Sequence, residues 1–461
     1  MACERRICII GAGPSGLAAL KTILDTTEYA QGLWKPVAYE ARDGIGGIWR
    51  PSPPTENPPI TPLYDTMTTN LPHQIMSYKS FPFPPTTPIF PAAATVLEYI
   101  ESYVSHFQLI PHIRLNTSVQ DVRRNMENTE WIVTLSTGEI QNFDVICVGN
   151  GHFRVPRYPD VPGLSTWLET GRALHSAWYR SPSSIHGEVV LVAGGGPSGH
   201  DIASDMCASG KSVIHAVSGT APIDIANLRI RGRVVEFLPD GSAAFEDGSM
   251  EFGIDQCILA TGYKMAFPFL SSVMQHTANP PYSPLPEGFY SSPYHLFPLA
   301  KHMFPLRAPF PSWSLALMGL TLRGIPFSLF EAQARAIVHA IRDPESLSTE
   351  AEAQKIISRH EKLRADYADD DEAVAKMWHK VTEAESFEYR DDLNEFSGSS
   401  ERVEEWEKAA WDKKIALRRE WRQLEATCEA GSWLENVDPG KDGQIKILER
   451  LAERAEQEGS I

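Results

Sequence analysis

A glycine-rich turn near the start of the sequence has the spacing with which a main chain binds phosphate. Residues 11–16 read Gly-Ala-Gly-Pro-Ser-Gly and follow the apolar run of residues 7–10. Gly11 permits a tight turn, Gly13 lets the backbone approach a pyrophosphate, and Gly16 allows a helix to pack closely on the strand. The N–H groups at the start of that helix would face the phosphates. The turn therefore predicts a site for the ADP part of a dinucleotide.

The residues that follow fit the rest of such a ligand. Glu40 ends a second apolar run, residues 36–39, at about the distance where these folds place an acid on the ribose hydroxyls. Two adjacent glycines, Gly46 and Gly47, leave space for a flat ring system, and Trp49 could form its wall. Because strand, turn, helix and acid occur together, we favour a ligand site over a glycine-rich turn without a ligand.

A second glycine-rich turn repeats the first. Residues 194–199 read Gly-Gly-Gly-Pro-Ser-Gly and follow the strand-like run of residues 188–193. Two complete signatures in one chain predict two different dinucleotides, and the usual pair is a permanently held flavin and a nicotinamide that feeds it hydride. The alternative is that one signature survives only as a scaffold.

The remaining pattern predicts an α/β protein. Apolar spacing predicts a helix over residues 96–107. Buried strands are predicted within residues 143–148, 255–263 and 314–320, and Pro326 marks the start of a further helix.

Charged helices are predicted toward the C-terminus. Thr349 and Glu352 have the spacing of a capping box. Apolar residues at three- and four-residue spacing between Val403 and Leu424 form one stripe, which we interpret as a docking face against the main body rather than a partner site. The tail after Gly440 is expected to fray.

Composition and charge exclude several classes of protein. The 461 residues suffice for two or three domains, and 42% hydrophobic with 22% charged residues is ordinary for a soluble enzyme. A net charge of −17 argues against binding to nucleic acid or an anionic membrane. No apolar run approaches the roughly 20 residues of a transmembrane helix, and residues 1–6 leave no room for a signal peptide. Six cysteines without a Cys-x-x-Cys pair indicate thiols in a reducing compartment, which predicts a cytoplasmic protein.

Together these residues resemble the flavin-containing monooxygenases, class B enzymes that use FAD and NADPH, in the soluble form without a C-terminal membrane anchor. The resemblance runs from about residue 6 to residue 335, and more faintly through residues 387–393. It covers both glycine-rich turns, Gly-Gly-Ile-Trp at residues 46–49, Thr-Asn-Leu-Pro at residues 69–72, Ala-Thr-Gly-Tyr at residues 260–263 and Glu-Ala-Gln at residues 331–333.

The resemblance implies two Rossmann-like dinucleotide-binding domains, with the NADP-binding domain inserted in the FAD-binding domain. We expect the FAD-binding domain at residues 1–180 and 264–342 and the NADP-binding domain at residues 181–263. A C-terminal helical extension would follow at residues 343–461.

The resemblance also implies an activity of the N,N-dimethylaniline monooxygenase type. In this family NADPH reduces FAD, O₂ adds at flavin C4a as a hydroperoxide, and a sulfur or amine nitrogen of a small molecule takes the distal oxygen. No metal, Ser/His/Asp or Cys/His arrangement is required, and none is found in the sequence. The expected partners are a small-molecule substrate and O₂, without nucleic acid or membrane, and a homodimer is left open.

The resemblance assigns the site residues. Asn70 is the expected catalytic residue, because an amide beside flavin and nicotinamide can both donate and accept hydrogen bonds; the alternative is a turn-forming asparagine. We interpret His175 as a fixing contact near NADP rather than a base, and Gln333 as a contact of the flavin ring. The expected cofactor-binding residues are Gly11, Ala12, Gly13, Pro14, Ser15, Gly16, Glu40, Gly47, Ile48, Trp49, Thr69, Asn70, Leu71, His175, Gly194, Gly196, Pro197, Ser198, Gly199, Asp201, Thr261 and Gln333.

The linker between the two domains departs from the family pattern. The motif F-x-G-x-x-x-H-x-x-x-Y is matched at Gly171, His175 and Tyr179, but Glu169 stands at its phenylalanine position. Baeyer–Villiger relatives carry tryptophan where this chain has Tyr179, which favours heteroatom oxidation here. A Baeyer–Villiger or N-hydroxylating enzyme is the enzymatic alternative. A non-catalytic dinucleotide-sensing protein, with the C-terminal helices as its docking surface, is the alternative from another class.

A second departure concerns the choice of nicotinamide. Relatives commonly place an arginine on the 2′-phosphate of NADPH where this chain has Val217. A guanidinium is the natural partner of a phosphate, so Lys211, Arg229 or Arg231 would have to replace it. We expect NADPH, with NADH not excluded.

Overall fold

The chain forms two compact units in the computed structural model, which describes residues 4–435, 437–438 and 440–457. The first unit consists of Met1–Arg50, Thr69–Gly151 and Met265–Ile461. The second consists of Pro51–Thr68 and His152–Lys264. The chain therefore leaves the first unit twice and returns to it twice.

The α-helices are, in chain order, α1 Pro14–Leu24, α2 Thr27–Ala30, α3 His73–Met76, α4 Ala93–His106, α5 Leu164–Glu169, α6 Pro197–Ala208, α7 Pro326–Arg342, α8 Thr349–Asp366, α9 Asp371–Met377, α10 Glu383–Phe396, α11 Glu405–Asp412, α12 Lys414–Ala426, α13 Ala430–Leu434 and α14 Lys441–Gln457. The strands are β1 Arg5–Ile10, β2 Trp34–Tyr39, β3 Ile113–Arg114, β4 Val119–Arg124, β5 Trp131–Leu135, β6 Ile140–Phe143, β7 Val145–Val148, β8 Val155–Pro156, β9 Ala173–His175, β10 Val189–Ala193, β11 Ser212–Ala216, β12 Ile223–Ile225, β13 Leu228–Arg231, β14 Val234–Phe237, β15 Ala243–Phe245, β16 Met250–Glu251, β17 Gln256–Leu259, β18 Tyr263–Lys264, β19 Gln275–His276, β20 Tyr290–Ser291, β21 Leu296–Phe297, β22 Leu299–Ala300, β23 Phe304–Pro305 and β24 Leu315–Leu317.

A parallel sheet with the strand order β24-β7-β1-β2-β3 forms the centre of the first unit. The side chains of β1 alternate between two hydrophobic clusters, with Ile7 and Ile9 on one face and Cys8 and Ile10 on the other. Because both faces are covered, the strand reads as a continuous apolar run rather than an alternating one. Helices α1 and α7 contribute to the first cluster, and the antiparallel strands β4 and β5 to the second.

The second unit is built on a sheet with the order β12-β13-β11-β10-β17-β9. All of its neighbouring strands are parallel except β12, which runs antiparallel to β13. Strand β10 repeats the two-sided burial of β1, with Leu191 and Ala193 on one face and Val190 and Val192 on the other. In each sheet one buried strand, β1 or β10, leads into a glycine-rich turn and a helix. This arrangement confirms the expected α/β class with two Rossmann-like halves.

The second unit begins earlier than the expected boundary at residue 181. Strand β9 pairs with β17 through Ala173 and Cys257, so residues 152–180 belong to the sheet of this unit. Residues 51–68 join it as well, since the N–H of Asp65 donates to the carbonyl of Arg180 at 2.8 Å. At the other end the chain leaves the unit after Lys264, one residue beyond the expected limit. These contacts join segments that are far apart in the sequence, so the local sequence pattern did not indicate them.

The C-terminal helices belong to the first unit and supply part of its core. The apolar stripe begins at Val403, just before α11, and continues along α11 and α12. Its members Val403, Ala410, Leu417, Trp421 and Leu424 are buried in the same cluster as Ile7. The stripe therefore faces the core of its own unit.

Two expectations for this region are wrong in detail. The cap of α8 is Ser348, whose hydroxyl accepts from Ala351 N at 3.3 Å, so the capping spacing at Thr349 is off by one residue. Residues 441–457 do not fray but form α14, because Leu448 and Leu451 are buried against the neighbouring helices.

A buried ion-pair cluster attaches α11 to the rest of the first unit. The Glu407 side chain has no exposed surface and lies 2.7 Å from both Lys79 Nζ and Arg390 Nη2. Arg390 also donates to the hydroxyl of Ser328 on α7 at 2.7 Å. Burial alone would raise the pKa of Glu407, but the charges of Arg390 and Lys79 hold it below its usual range. The carboxylate is therefore ionised inside the core.

We expect Glu407→Ala to lower the free energy of unfolding by about 3–5 kcal/mol, because it leaves the Arg390 guanidinium buried without its partner. Urea unfolding followed by tryptophan fluorescence measures the change. The matched control is Glu405→Ala on the same helix, whose side chain is 87% exposed and should matter by less than about 0.5 kcal/mol. Equal effects of the two substitutions would contradict a structural role for the buried carboxylate.

Candidate functional site

The first glycine-rich turn is closed by backbone contacts that leave no room for side chains. Gly11 has a φ of +98°, and a Cβ there would lie 2.7 Å from the carbonyl oxygen of Gly149. A Cβ on Gly16 would lie 1.9 Å from the carbonyl oxygen of Gly11. Helix α1 begins at Pro14 with Gly13 as its N-cap, and no described side chain caps it. Its first N–H groups are therefore left for an anion.

A tyrosine that the sequence analysis missed supports this turn. The Tyr78 hydroxyl donates to the carbonyl of Pro14 at 2.7 Å, and its ring stacks on Tyr103 with centroids 4.3 Å apart. Burial raises the pKa of Tyr78 well above its ordinary value, so the hydroxyl keeps its proton. On the other side of the turn, the Ser15 hydroxyl donates to the carbonyl of Gly149 at 3.4 Å.

Glu40 holds the turn and the loop after β2 together. One carboxylate oxygen accepts from the N–H of Ala12 at 2.8 Å, and the other accepts from the N–H of Arg42 at 2.9 Å. The residue is 7% exposed. Each carboxylate oxygen has a further lone pair, so the expected contact to ribose hydroxyls is compatible with these bonds.

The second pair of glycines lies against the first turn. The N–H of Gly46 donates to the carbonyl of Ala12 at 3.0 Å. Gly47 has a φ of +58°, and a Cβ there would lie 3.0 Å from the Cα of Gly13. These glycines therefore allow two stretches of backbone to approach each other. The two residues that complete the turn are half-buried: Ile48 and Trp49.

Asn70 is exposed at a turn that a neighbouring residue stabilises. The Thr69 hydroxyl donates to the carbonyl of Leu71 at 2.8 Å, and the N–H of Thr69 donates to the carbonyl of Pro91 at 2.9 Å. Thr69 and Leu71 are buried, whereas the Asn70 amide makes no hydrogen bond to the residues that the structure describes. The turn therefore does not need the asparagine side chain. The catalytic role of Asn70 stays a prediction.

Gln333 is buried and hydrogen-bonded within the protein. Its side chain has no exposed surface, its Oε1 accepts from the N–H of Gly319 at 3.0 Å, and its Nε2 donates to the Tyr389 hydroxyl at 3.1 Å. Tyr389 in turn donates to the carbonyl of Lys301 at 2.7 Å. Each end of the amide makes one hydrogen bond to the protein, so Gln333 supports the chain after β24. A contact with the flavin ring stays a prediction.

The second glycine-rich turn has the same backbone closure as the first. Gly194 has a φ of +131°, and a Cβ there would lie 2.3 Å from the carbonyl oxygen of Ala260. A Cβ on Gly199 would lie 1.9 Å from the carbonyl oxygen of Gly194. A Cβ on Gly196, in contrast, would meet no atom within 4 Å. Helix α6, which begins at Pro197, also lacks a cap from any described side chain.

Asp201 on α6 binds protein in this structure. Its carboxylate accepts from the Tyr64 hydroxyl at 3.1 Å and is 7% exposed. One turn later, Asp205 accepts from the hydroxyls of Thr66 and Tyr179. The two carboxylates hold residues 51–68 on the helix, and a direct contact of Asp201 with a cofactor stays a prediction.

His175 has both ring nitrogens engaged. Nδ1 accepts from the N–H of Ala177 at 3.1 Å, so the proton of the neutral ring lies on Nε2, which donates to the carbonyl of Gly262 at 3.0 Å. Burial lowers the pKa of His175 to about 4. A neutral ring without a free nitrogen fits a fixing contact and not a base.

Arg157 is a further residue that the sequence analysis missed. Its guanidinium donates twice to the carbonyl of Thr261, at 3.0 and 2.7 Å, and its N–H donates to the carbonyl of Gly262 at 2.9 Å. Arg157 and His175 thus fix the turn after β17 from two sides. The contact joins residues 104 positions apart, and nothing in the local spacing indicates it.

In the part of the chain that the structure describes, no helix combines the length and the apolar character needed to cross a bilayer. Among the same residues, no group of three or more His, Cys, Asp or Glu side chains could hold a metal ion. The free thiols of Cys8, Cys147 and Cys257 are buried, and that of Cys428 is exposed. Cys3 lies outside the described residues.

The two turns define a protein that binds two dinucleotides. In each unit a positive-φ glycine closes the turn and an uncapped helix begins directly after it. The lone pairs left on Glu40 and the open space at Gly196 are compatible with one dinucleotide in each unit. The assignment of FAD to the first unit and of NADPH to the second stays a prediction.

The family model for flavin-binding monooxygenase-like proteins matches residues 4–223 and 220–403. The chain therefore belongs to the flavin-containing monooxygenases, which confirms the expected family. It is an NADPH-dependent flavin monooxygenase with FAD as its other cofactor, and it acts on a small-molecule substrate and O₂.

Relatives from plants and bacteria have similar sequences or folds. Flavin-containing monooxygenase FMO GS-OX-like 7 of Arabidopsis thaliana is 29% identical over 391 residues, which cover 78% of each chain. The S-allyl-L-cysteine S-oxygenase of Allium sativum superimposes with a TM-score of 0.75 over 99% of both chains, at 24% identity. Tmm of Pelagibacter sp. strain HTCC7211 gives a TM-score of 0.71 over 91% of both chains, at 21% identity.

The contrast between Gly196 and Gly199 gives a test of the second turn. Gly199→Ala should unfold or strongly destabilise the turn, because its Cβ would overlap the backbone of Gly194. Gly196→Ala should cost about 1 kcal/mol of stability or less but weaken NADP⁺ binding at least about tenfold, because the methyl group occupies the space of the pyrophosphate. Thermal melting and calorimetric titration separate the two effects. Normal NADP⁺ affinity of Gly196→Ala would argue against a dinucleotide at this turn.

The low pKa of His175 gives a second test. Because the unfolded ring binds its proton near pH 6.5 and the folded ring only near pH 4, the stability it contributes is present above pH 6.5 and lost as the pH falls toward 4. The loss reaches up to about 3 kcal/mol. In His175→Gln the drop in melting temperature between about pH 7 and about pH 4.5 should be smaller. The control is His276→Gln at an exposed position, which should show the same drop in melting temperature as the wild type. Identical acid sensitivity in both variants would rule out a neutral buried His175.

Proposed function

We propose that this enzyme transfers one oxygen atom from O₂ to the lone pair of a sulfur or nitrogen atom in a small molecule. The observation that carries the proposal is the pair of closed glycine-rich turns, one in each unit, together with the exposed Asn70 amide beside a buried Thr69. NADPH supplies two electrons, one oxygen atom goes to the substrate, and the other leaves as water. Bound FAD would supply the activation of O₂ at its C4a atom.

The residues of the chain have the tasks of binding, orienting and excluding water. In the first unit the turn at residues 11–16 and Glu40 would hold the ADP part of FAD, and Thr69 presents Asn70. In the second unit the turn at residues 194–199 would hold NADPH, while Arg157 and His175 fix the neighbouring turn. An Asn70 amide could donate and accept a hydrogen bond without exchanging a proton.

The structure bears on the two alternatives. Tyr179 has no exposed surface, packs against Tyr64 and donates to Asp205, so its identity reflects packing in the second unit. The preference for heteroatom oxidation that rests on Tyr179 stays a prediction. The apolar stripe of α11 and α12 is buried in the core of the first unit, so this stripe is not available as a docking surface for a dinucleotide-sensing protein.

The substrate atom tested first is sulfur, because a solved structure with this fold is an S-oxygenase of S-allyl-L-cysteine. A cytoplasmic location, the absence of nucleic-acid or membrane partners, and the assembly of the chain as a monomer or homodimer stay predictions from the sequence.

Purified protein should be yellow and should consume NADPH in the presence of a thioether. Under ¹⁸O₂ the thioether should be converted to a sulfoxide that carries one ¹⁸O atom, which mass spectrometry detects. Asn70→Ala should keep bound FAD and NADP⁺ affinity but lose oxygen transfer by about a hundredfold or more, because a donor to the reacting group is removed. The control is Asn142→Ala, an exposed asparagine on β6, which should behave as wild type.

Two results would count against the proposed activity, and a third would count against the role of Asn70. A colourless protein would contradict the flavin site, and a yellow protein that consumes no NADPH across thioether and amine panels would contradict the monooxygenase activity. Full oxygen transfer by Asn70→Ala would remove Asn70 from the site while leaving the activity in place.

A further inference from the structure

Val217 occupies the position from which a dinucleotide site selects between its two nicotinamide cofactors. Strand β11 ends at Ala216, and Val217 follows directly. The Val217 Cγ1 lies 2.6 Å from the place where a Cβ on Gly195 would stand, so the valine packs on the glycine-rich turn itself. In folds of this type the residues after that strand meet the ribose 2′ position, where an acid binds the hydroxyls of NAD or an arginine binds the phosphate of NADP. Valine offers neither.

The loop after Val217 is bound to an acidic residue. The N–H of Gly219 donates to Glu246 Oε1 at 2.8 Å, and Arg233 pairs with the same carboxylate at 3.3 Å. Backbone hydrogen bonds from Arg233 and Gly219 lower the pKa of Glu246, so it is anionic at neutral pH. A negative charge at this loop disfavours a second one on a ligand phosphate.

Lys211 cannot replace the missing arginine. It precedes β11, whereas the ribose site lies after the opposite end of that strand, about 17 Å away for five extended residues. Its Nζ donates to the carbonyl of Gly187.

Arg229 and Arg231 are already neutralised. Arg231 lies 2.6 Å from Asp224 Oδ1 and 2.7 Å from Glu251 Oε1, and it is 9% exposed. Arg229 pairs with the other oxygen of Glu251 and donates to the Ser212 hydroxyl at 3.3 Å. With Arg233 on Glu246, three guanidinium groups face three carboxylates. The strand ends around the ribose position thus carry no net positive charge from these six residues.

We infer that the second unit does not select for the 2′-phosphate, and that the enzyme uses NADH as well as NADPH, with binding affinities within about tenfold of each other. The inference rests on the proposed role of the second unit as the nicotinamide site. It goes beyond NADPH dependence, because it names Val217 as the residue that sets the selectivity.

The test is calorimetric titration of the full-length, FAD-loaded protein with NADP⁺ and NAD⁺, and with 2′,5′-ADP and 5′-AMP as fragments that differ in the 2′-phosphate. The affinities of the wild type for NADP⁺ and NAD⁺ should agree within about tenfold, and so should its affinities for 2′,5′-ADP and 5′-AMP. Val217→Arg should raise the affinity for NADP⁺ and 2′,5′-ADP by about ten- to a hundredfold, since a hydrogen bond to a charged group is worth that much, and leave NAD⁺ unchanged. Val217→Gln, of similar reach without charge, should gain little.

The outcomes separate the inference from the function on which it rests. A wild-type preference for NADP⁺ of more than tenfold would overturn the inference while the nicotinamide site stands. So would a selective loss of NADP⁺ affinity in Arg233→Ala, because that exposed arginine would then be the phosphate ligand. If neither nucleotide bound, the proposed nicotinamide site itself would fail.

Discussion

The structure depends on one close approach of backbone to backbone, which occurs twice. In each unit the last glycine of the turn lies so near the first glycine's carbonyl that a Cβ would come within 1.9 Å of it. That contact lets a helix start directly above the end of a buried strand, and it directs the free N–H groups of the helix toward the ligand. Neither Gly16 nor Gly199 can carry a side chain, so the geometry of both turns depends on glycine at these two positions.

Charged and hydroxyl-bearing side chains from other segments stabilise the first glycine-rich turn and, in the second unit, the turn after β17. Glu40 bonds the main chain of Ala12, Tyr78 bonds that of Pro14, and Arg157 bonds that of Thr261. Each contact satisfies a backbone group that a tight turn leaves without a helical or sheet partner. These hydrogen bonds hold the main chain of the turns in place from outside the turns themselves.

Local features of this fold could be predicted from the sequence, whereas contacts across long separations could not. Buried parallel strands and glycine-rich turns are encoded within a few residues, so β1, β10 and both turns were predicted. The joining of residues 51–68 to the second unit depends on Tyr64 and Asp201, which are 137 residues apart. The burial of Gln333 likewise depends on Tyr389, on a separate helix. Residue type and local spacing carry no information on such pairs.

The difference between local sequence and long-range contacts also applies to the proposed nicotinamide site. The family resemblance implies an arginine where this chain has Val217, and the sequence offers three basic residues as substitutes. Only the structure shows that these residues face carboxylates or stand at the wrong end of β11. A count of cations near a motif overestimates the positive potential at a site when each cation has an acidic partner within about 3 Å. Selectivity for a phosphate depends on unpaired charge at the binding position, and the paired arginines around Glu251 do not supply it.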